Sequence, residues 1–431
     1  MRDIIITLIV FGALPFVFKR PFYGAMLWIW ISVMNPHTQS WGWAQTMPFA
    51  AIIAGTTVLA MMAKAKDVSF PNTALTWLLI AFSGWMCVST LFAIGPEDPW
   101  PALNKVLKIM GMTLAVSMLV RTRKDIEMLV WAIVVSLGYY GVKGGLFTIR
   151  SGGAYRVWGP MGTFIEGNNE IALALIMVVP LMMFLVPLIA NRWGKRAMWL
   201  AAGLCALASL GSYSRGAALA LAAMLAFLWL KSHEKAKLGA LLLVLAPLAL
   251  VFMPEQWHAR IDTINTYEQD GSAMGRINAW RMAINLAADH PLFGGGFQIY
   301  NKYIFQLYAP VPDDIHAAHS IYFQVLGEHG YVGLALFLLM YLVVWRSGTW
   351  VIKHADNIPE LEWATRLVRM LQVSLIGFMV GGAFLSLAYF DVPYYIMVIM
   401  VATRLLVEKM LKERAANPPV AQQQEEAQGV A

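Results

Sequence analysis

The sequence predicts an all-α polytopic membrane protein of about twelve transmembrane helices. Three observations carry that expectation. The 431 residues are 59% hydrophobic and 13% charged, whereas soluble domains are about 45–50% apolar with about twice that charge. The mean hydropathy is +0.60. Apolar runs of about 12 to 25 residues recur along most of the chain, without the period-two alternation of a membrane barrel.

The runs fall at 4–18, 23–34, 48–63, 74–93, 106–120, 128–148, 171–190, 197–211, 217–230, 238–253, 321–345, 371–389 and 394–406. Lys19-Arg20-Pro21 breaks the first two, which are short and read as a bent or partly inserted pair. No clear small-residue cleavage site follows the first run, so it is expected to stay in the mature protein. Cys87 and Cys205 lie inside apolar runs and read as packing residues rather than a disulfide. The organisation expected is helices over 1–253, a long polar loop over 254–318, helices over 319–414 and a polar, disordered tail over 415–431. Helical patterning at 274–288 makes the loop a small capping layer rather than a separate domain.

Basic residues orient the chain. Lys19, Arg20, Lys64, Lys66, Arg121, Arg123, Lys124, Arg192, Lys195 and Arg196 fall on one set of loops, with Lys231, Lys235, Lys237, Arg346, Lys353 and Lys409. That face is expected to be cytoplasmic. The net charge of +7 is then an orientation signal, not a nucleic-acid one.

The opposite face holds cations where they should be scarce. They are Lys105, Lys108, Arg150, Arg156, Arg215, Arg260, Arg276, Arg281 and Lys302. Lys105 and Lys108 are spaced i, i+3, so both point to one side of their helix. Arg215 sits in Ser212-Tyr213-Ser214-Arg215-Gly216, a tight junction between two spans. Salt bridges to the acids of that face account for any single cation. The cluster as a whole points to a polyanion, because guanidinium donates in a fork that matches phosphate. No phosphate-loop or Rossmann glycine pattern is present, so a lipid-linked diphosphate or anionic head group fits better than a nucleotide.

His319 ends the polar loop, just before Ser320-Ile321-Tyr322-Phe323. Imidazole takes a proton readily near neutral pH, and neighbouring cations should hold it neutral. The alternative is a hydrogen bond or cap at a helix start. His316 and His319 follow Asp313 and Asp314, which raises a metal site, but no third-ligand motif is evident. No metal and no other cofactor is expected. His329, in Glu328-His329-Gly330, reads as a buried polar contact.

These residues resemble the bacterial O-antigen ligases and related polymerases. His319-Ser320, nine residues, then Gly330 and Gly333 match the pattern His-(Asn/Ser/Gln)-x9-Gly-x2-Gly. Ser214-Arg215-Gly216 resembles the family's Ser-Arg-Gly junction, and Gly275-Arg276 with Trp280 resembles its Gly-Arg-x-x-x-Trp segment. Asn169-Glu170-Ile171-Ala172 resembles its Asn-x-x-Ala at a helix start. The first half, with Asn35-Pro36-His37 and Trp41-Gly42-Trp43, resembles the exosortase-associated O-glycosylation ligase subgroup.

The resemblance implies a C-type glycosyltransferase fold in the bacterial inner membrane, with the long loop over a periplasmic active site. It implies transfer of a glycan from undecaprenyl diphosphate to the lipid A–core oligosaccharide in lipopolysaccharide synthesis, with inversion and without metal or nucleotide. His319 would take the proton of the acceptor hydroxyl. Arg215 and Arg276 would bind the diphosphate, with Arg156, Lys105, Lys108 and Arg281 as further candidates. Tyr213, Trp280, Asn169 and His316 would shape the site, ordinary packing being the alternative for the aromatic pair. Transfer to protein serine or threonine, and polymerisation onto a second lipid-linked glycan, share the same donor. A flippase for anionic lipids is the alternative of another class. It would be expected to carry charge near mid-span, whereas here the charges collect at one face.

Overall fold

The computed structural model describes residues 1–231 and 271–416, with isolated positions at 235, 236, 239, 243, 251, 253 and 255. The expected run 238–253, Arg260 and the tail from 417 lie outside the continuously described segments. All regular structure among the described residues is helical. The helices are α1 (Arg2–Lys19), α2 (Phe22–Ile29), α3 (Phe49–Ala63), α4 (Ala74–Leu91), α5 (Trp100–Leu119), α6 (Arg123–Arg150) and α7 (Asn168–Leu185). They continue with α8 (Arg192–Leu210), α9 (Arg215–Lys231), α10 (Gly271–Asp289), α11 (Lys302–Tyr308), α12 (Ile321–Ala355), α13 (Glu362–Gly382) and α14 (Asp391–Ala416).

Six of the described helices are long and apolar enough to cross a membrane: α4, α5, α6, α7, α12 and α13, with α7 and α13 each extended by a short 3₁₀ turn. Shorter apolar helices cover Phe22–Met34, Phe49–Ala63 and Arg215–Leu230. The protein is therefore a multi-pass helical membrane protein.

α7 is the centre of the bundle. Every residue from Ile171 to Val178 is buried, the pattern of a helix that is apolar all round. It packs against α6, α8, α9 and α13, and the Ser374 hydroxyl of α13 donates to the Met177 carbonyl at 2.7 Å. The break between α1 and α2 is anchored rather than loose. Arg20 pairs with Asp125 at 2.5 Å, and Asp125 also closes a capping box with Thr122 at the start of α6.

Two expected spans differ in extent. The run 371–389 is a helix that begins earlier, at Glu362, and ends at Gly382. Residues 383–390 remain apolar because they form a largely buried turn, not because the helix continues. The run 321–345 extends to Ala355, since Arg346 and Lys353 sit on an amphipathic extension. The loop helix expected over 274–288 is α10. It packs Ala279, Met282 and Leu286 on Ile299, Ile304 and Phe305, a small satellite core over the bundle.

Candidate active site

Three chain segments meet around Arg276. The first is the junction of α8 and α9. Asn168, at the start of α7, donates from its side chain to the Ser212 carbonyl at 2.7 Å. Tyr213 takes a left-handed backbone, φ 62°, and its hydroxyl bonds the Gly153 carbonyl at 2.5 Å. The Ser214 hydroxyl accepts the Ala217 N–H at 3.1 Å. The junction is thus pinned, and α9 opens with Arg215 in its first turn. A helix N-terminus adds partial positive charge to that of the guanidinium.

The second segment is α10. Arg276 and Trp280 are four residues apart and share one helix face. The preceding Gly275 lies against His316: a Cβ there would stand 2.3 Å from Cδ2 of that ring, which would have to shift. The third segment is 309–320, which has no helical structure. α10 clamps it. The Asn278 amide donates to the Val311 carbonyl at 2.8 Å and the Asp314 carbonyl at 2.9 Å, and its oxygen accepts the Val311 N–H at 2.9 Å. The Trp280 indole N–H donates to the Ala318 carbonyl at 2.6 Å. The Trp280 ring stacks on Phe323, centroids 5.1 Å apart.

Arg215, Gly216, Leu219, Ala273, Arg276, Ile277, Trp280 and Phe384 line a cavity of about 470 Å³. That lies in the range of small-ligand pockets, about 300–1,000 Å³. Its walls are apolar and its charge is cationic, with Glu170 of α7 in electrostatic reach of Arg276.

His319 follows the carbonyl that Trp280 holds. Its backbone is left-handed, φ 43°, and its N–H donates to the Ser386 hydroxyl at 3.0 Å. Ser320 precedes α12, so His319 is not its cap. Nδ1 of His319 and the Ser320 hydroxyl are buried and have no hydrogen-bond partner among the described residues. Buried polar atoms are rarely left so, and adjacent ones mark a place for a polar partner. Burial, then the nearby Arg276 charge, then His316, hold the His319 pKa down to about 4. The sequence argument had assigned that effect to the cations alone. The ring is therefore a neutral base at neutral pH.

The structure brings together Arg215, Arg276, Trp280 and His319. Arg156 lies over the Tyr213 ring, 5.7 Å from its centroid, and is not part of the cleft lining. Asn169 sits in the first turn of α7, and the helix start expected there is found at Asn168. Arg281 is exposed on α10. Lys105 and Lys108 do share one side of α5, but they line a different cavity, with Asp391 and His37. His316 pairs with Asp314 at 2.8 Å, in extended rather than helical chain. No group of three or more His, Cys, Asp or Glu among the described residues is arranged to hold a metal.

Sequence reasoning did not find Phe384 and Ser386, which reach the site from the buried turn after α13. It noted His329 as a buried contact, and that contact is a network. The Ser89 hydroxyl meets Nδ1 of His329 at 2.7 Å, and the Tyr389 hydroxyl meets Nε2 at 2.7 Å. Tyr389 also donates to Glu328 at 2.5 Å. The acid beside His329 inside an apolar run was the visible signal; Tyr389 gave none.

The described residues thus hold an apolar-walled cleft with two arginines in its lining and a neutral histidine in electrostatic reach of one of them, in a multi-pass helical membrane protein. Residues 200–338, about a third of the chain, match the family model described as O-antigen ligase. The matched segment contains Arg215, Arg276, Trp280, His319, Gly330 and Gly333. Residues 1–189 match a family of unknown function, DUF5935. No curated protein matches the chain.

Proposed function

We propose that this protein is an O-antigen ligase of the inner membrane. It transfers a glycan from undecaprenyl diphosphate to the lipid A–core oligosaccharide, with inversion and without metal. The chain crosses the membrane about twelve times in a C-type glycosyltransferase arrangement, with the cleft on the periplasmic face. The observation that carries the reading is the half-buried, neutral His319, whose Nδ1 is buried and unpartnered among the described residues, in electrostatic reach of Arg276. Arg276 in turn shares its cleft with Arg215.

In this reading His319 removes the proton of the acceptor hydroxyl. The hydroxyl oxygen attacks the anomeric carbon, and the bond from that carbon to the diphosphate oxygen breaks. One displacement inverts the configuration. Arg215 and Arg276 hold the diphosphate and offset the negative charge that grows on it. The apolar wall of Leu219, Ile277 and Phe384 suits the first units of the prenyl chain, and Trp280 suits the face of a sugar.

The test is in vitro transfer: purified protein, undecaprenyl diphosphate-linked glycan and excess chelator, with either lipid A–core or a serine-rich peptide as acceptor. Product on the lipid core alone is expected. Product on the peptide alone would move the activity to protein glycosylation, and lengthened lipid-linked glycan would move it to polymerisation.

A further inference from the structure

Lys105 and Lys108 stand outside the transfer cleft, and their own surroundings have the layout of a lipid site. The cavity they line is about 280 Å³, the lower end of small-ligand pockets, about 300 Å³. Asn35, His37, Asn104 and Thr163 give it neutral hydrogen-bonding groups. Nδ1 of His37 is buried and has no partner among the described residues. Asp391 is the one carboxylate in the lining; it is 3% exposed and lies in electrostatic reach of Lys105. The Lys105 ammonium also stands 3.9 Å from the Phe164 ring centroid. Lys108 is exposed and makes no ion pair among the described residues, so the cavity keeps a net positive charge.

Beside it lies a second, apolar hollow of about 700 Å³ between α4 and α5. Leu91, Leu103, Leu107 and Trp100 form its apolar walls, Asp98 is the one charged group in its lining, and Pro101 and Asn104 line both spaces. Leu91 is 67% and Trp100 51% exposed. Trp at the polar edge of an apolar surface is the pattern of a membrane interface. A polar, cationic chamber thus adjoins an apolar groove across one turn of α5.

We propose that this paired cavity and groove bind one anionic membrane phospholipid, its phosphate on Lys105 and Lys108 and an acyl chain along Leu91, Leu103 and Leu107. The occupant is argued from charge complementarity and from size. About 280 Å³ takes a phosphodiester with a small head group, not an oligosaccharide. The site is independent of the transfer reaction assigned to Arg215, Arg276 and His319.

The experiment is native mass spectrometry of the full-length, delipidated protein titrated with phosphatidylglycerol or phosphatidylethanolamine. Wild type is expected to retain one phosphatidylglycerol in preference to phosphatidylethanolamine. K105A/K108A should lose about thirtyfold of that affinity, the worth of two interfacial charges, and K105R/K108R should keep it. L91W, which fills the exposed groove, should weaken both lipids, whereas R276A should change neither. Equal retention of the two lipids by wild type, or unchanged phosphatidylglycerol binding in K105A/K108A, would overturn the head-group site. Unchanged binding in L91W would overturn the groove. Loss in R276A would place the lipid in the transfer cleft instead.

Discussion

Two histidines ten residues apart in the chain live in opposite surroundings. His329 has a partner on each ring nitrogen, Ser89 on one and Tyr389 on the other, and its backbone carbonyl accepts the Trp85 indole N–H at 3.0 Å. Its hydrogen-bonding capacity is spent inside the protein. His319 keeps Nδ1 without a partner, beside an equally unsatisfied Ser320 hydroxyl and near Arg276. His329 is fully buried and His319 only half-buried, but burial is not what most clearly separates them. What does is whether the fold has already used the ring. A fully bonded histidine holds helices together. An unsatisfied one, held in a left-handed backbone conformation, keeps a ring nitrogen open, as the proposed proton transfer requires.

The largest expected effect comes from breaking the contrast on the His319 side. His319→Gln should lower transfer by about 10²–10⁴-fold, the usual worth of a positioned base, with little change in thermal stability. His329→Gln should do the reverse, lowering the unfolding midpoint while single-turnover transfer by the folded fraction stays near wild type. Equal activity losses in both variants would erase the distinction.

Next is Arg276→Ala, expected to cost about 10²–10³-fold in kcat, as for loss of one group that stabilises transition-state charge. The same variant sharpens the pH argument. The acid limb of kcat/KM reports the free enzyme's base. With its pKa held to about 4, His319 stays neutral as pH falls through 6.5, and activity should survive to well below pH 6. Removing Arg276 removes one cation that opposes protonation, so the limb should move upward. It should not reach the ordinary histidine value, because burial, the larger cause, remains. A downward shift would contradict the assignment.

Smaller effects are expected in the scaffold. Tyr389→Phe removes the hydroxyl that serves both Glu328 and His329, and should cost about 1–3 kcal/mol of stability for buried groups left unsatisfied. Trp280→Phe keeps the stacking on Phe323 but loses the N–H to Ala318. It should cost about 0.5–1.5 kcal/mol, read as a raised KM more than a lowered melting point if it loosens the His319 segment.

Much of this was legible in the sequence. Apolar runs gave nearly every described helix, and the i, i+3 spacing of Lys105 and Lys108 gave their shared face. The Gly-Arg-x-x-x-Trp spacing placed Arg276 and Trp280 on one side of α10, and the reason for the glycine became clear only when His316 was found against it. Gly330 is similar. Its φ of 68° breaks α12, and a Cβ there would stand 2.4 Å from the Leu292 carbonyl oxygen, which the spacing alone did not reveal. The parts that escaped are those set by tertiary contact. Residues 383–390 read as helix because they are apolar, yet they form the turn that delivers Phe384, Ser386 and Tyr389. Lys105 and Lys108 read as further donor-site candidates, and they line a cavity apart from that of Arg215 and Arg276, a division that sequence does not make.

His319 is proposed to be kept unsatisfied for the role of proton acceptor. That role is tested most directly by single-turnover transfer at saturating lipid-linked donor, comparing wild type with His319→Gln at matched donor occupancy. The account predicts donor retained on the protein and transfer lowered by at least about 100-fold. Transfer within a few-fold of wild type at full occupancy would contradict it.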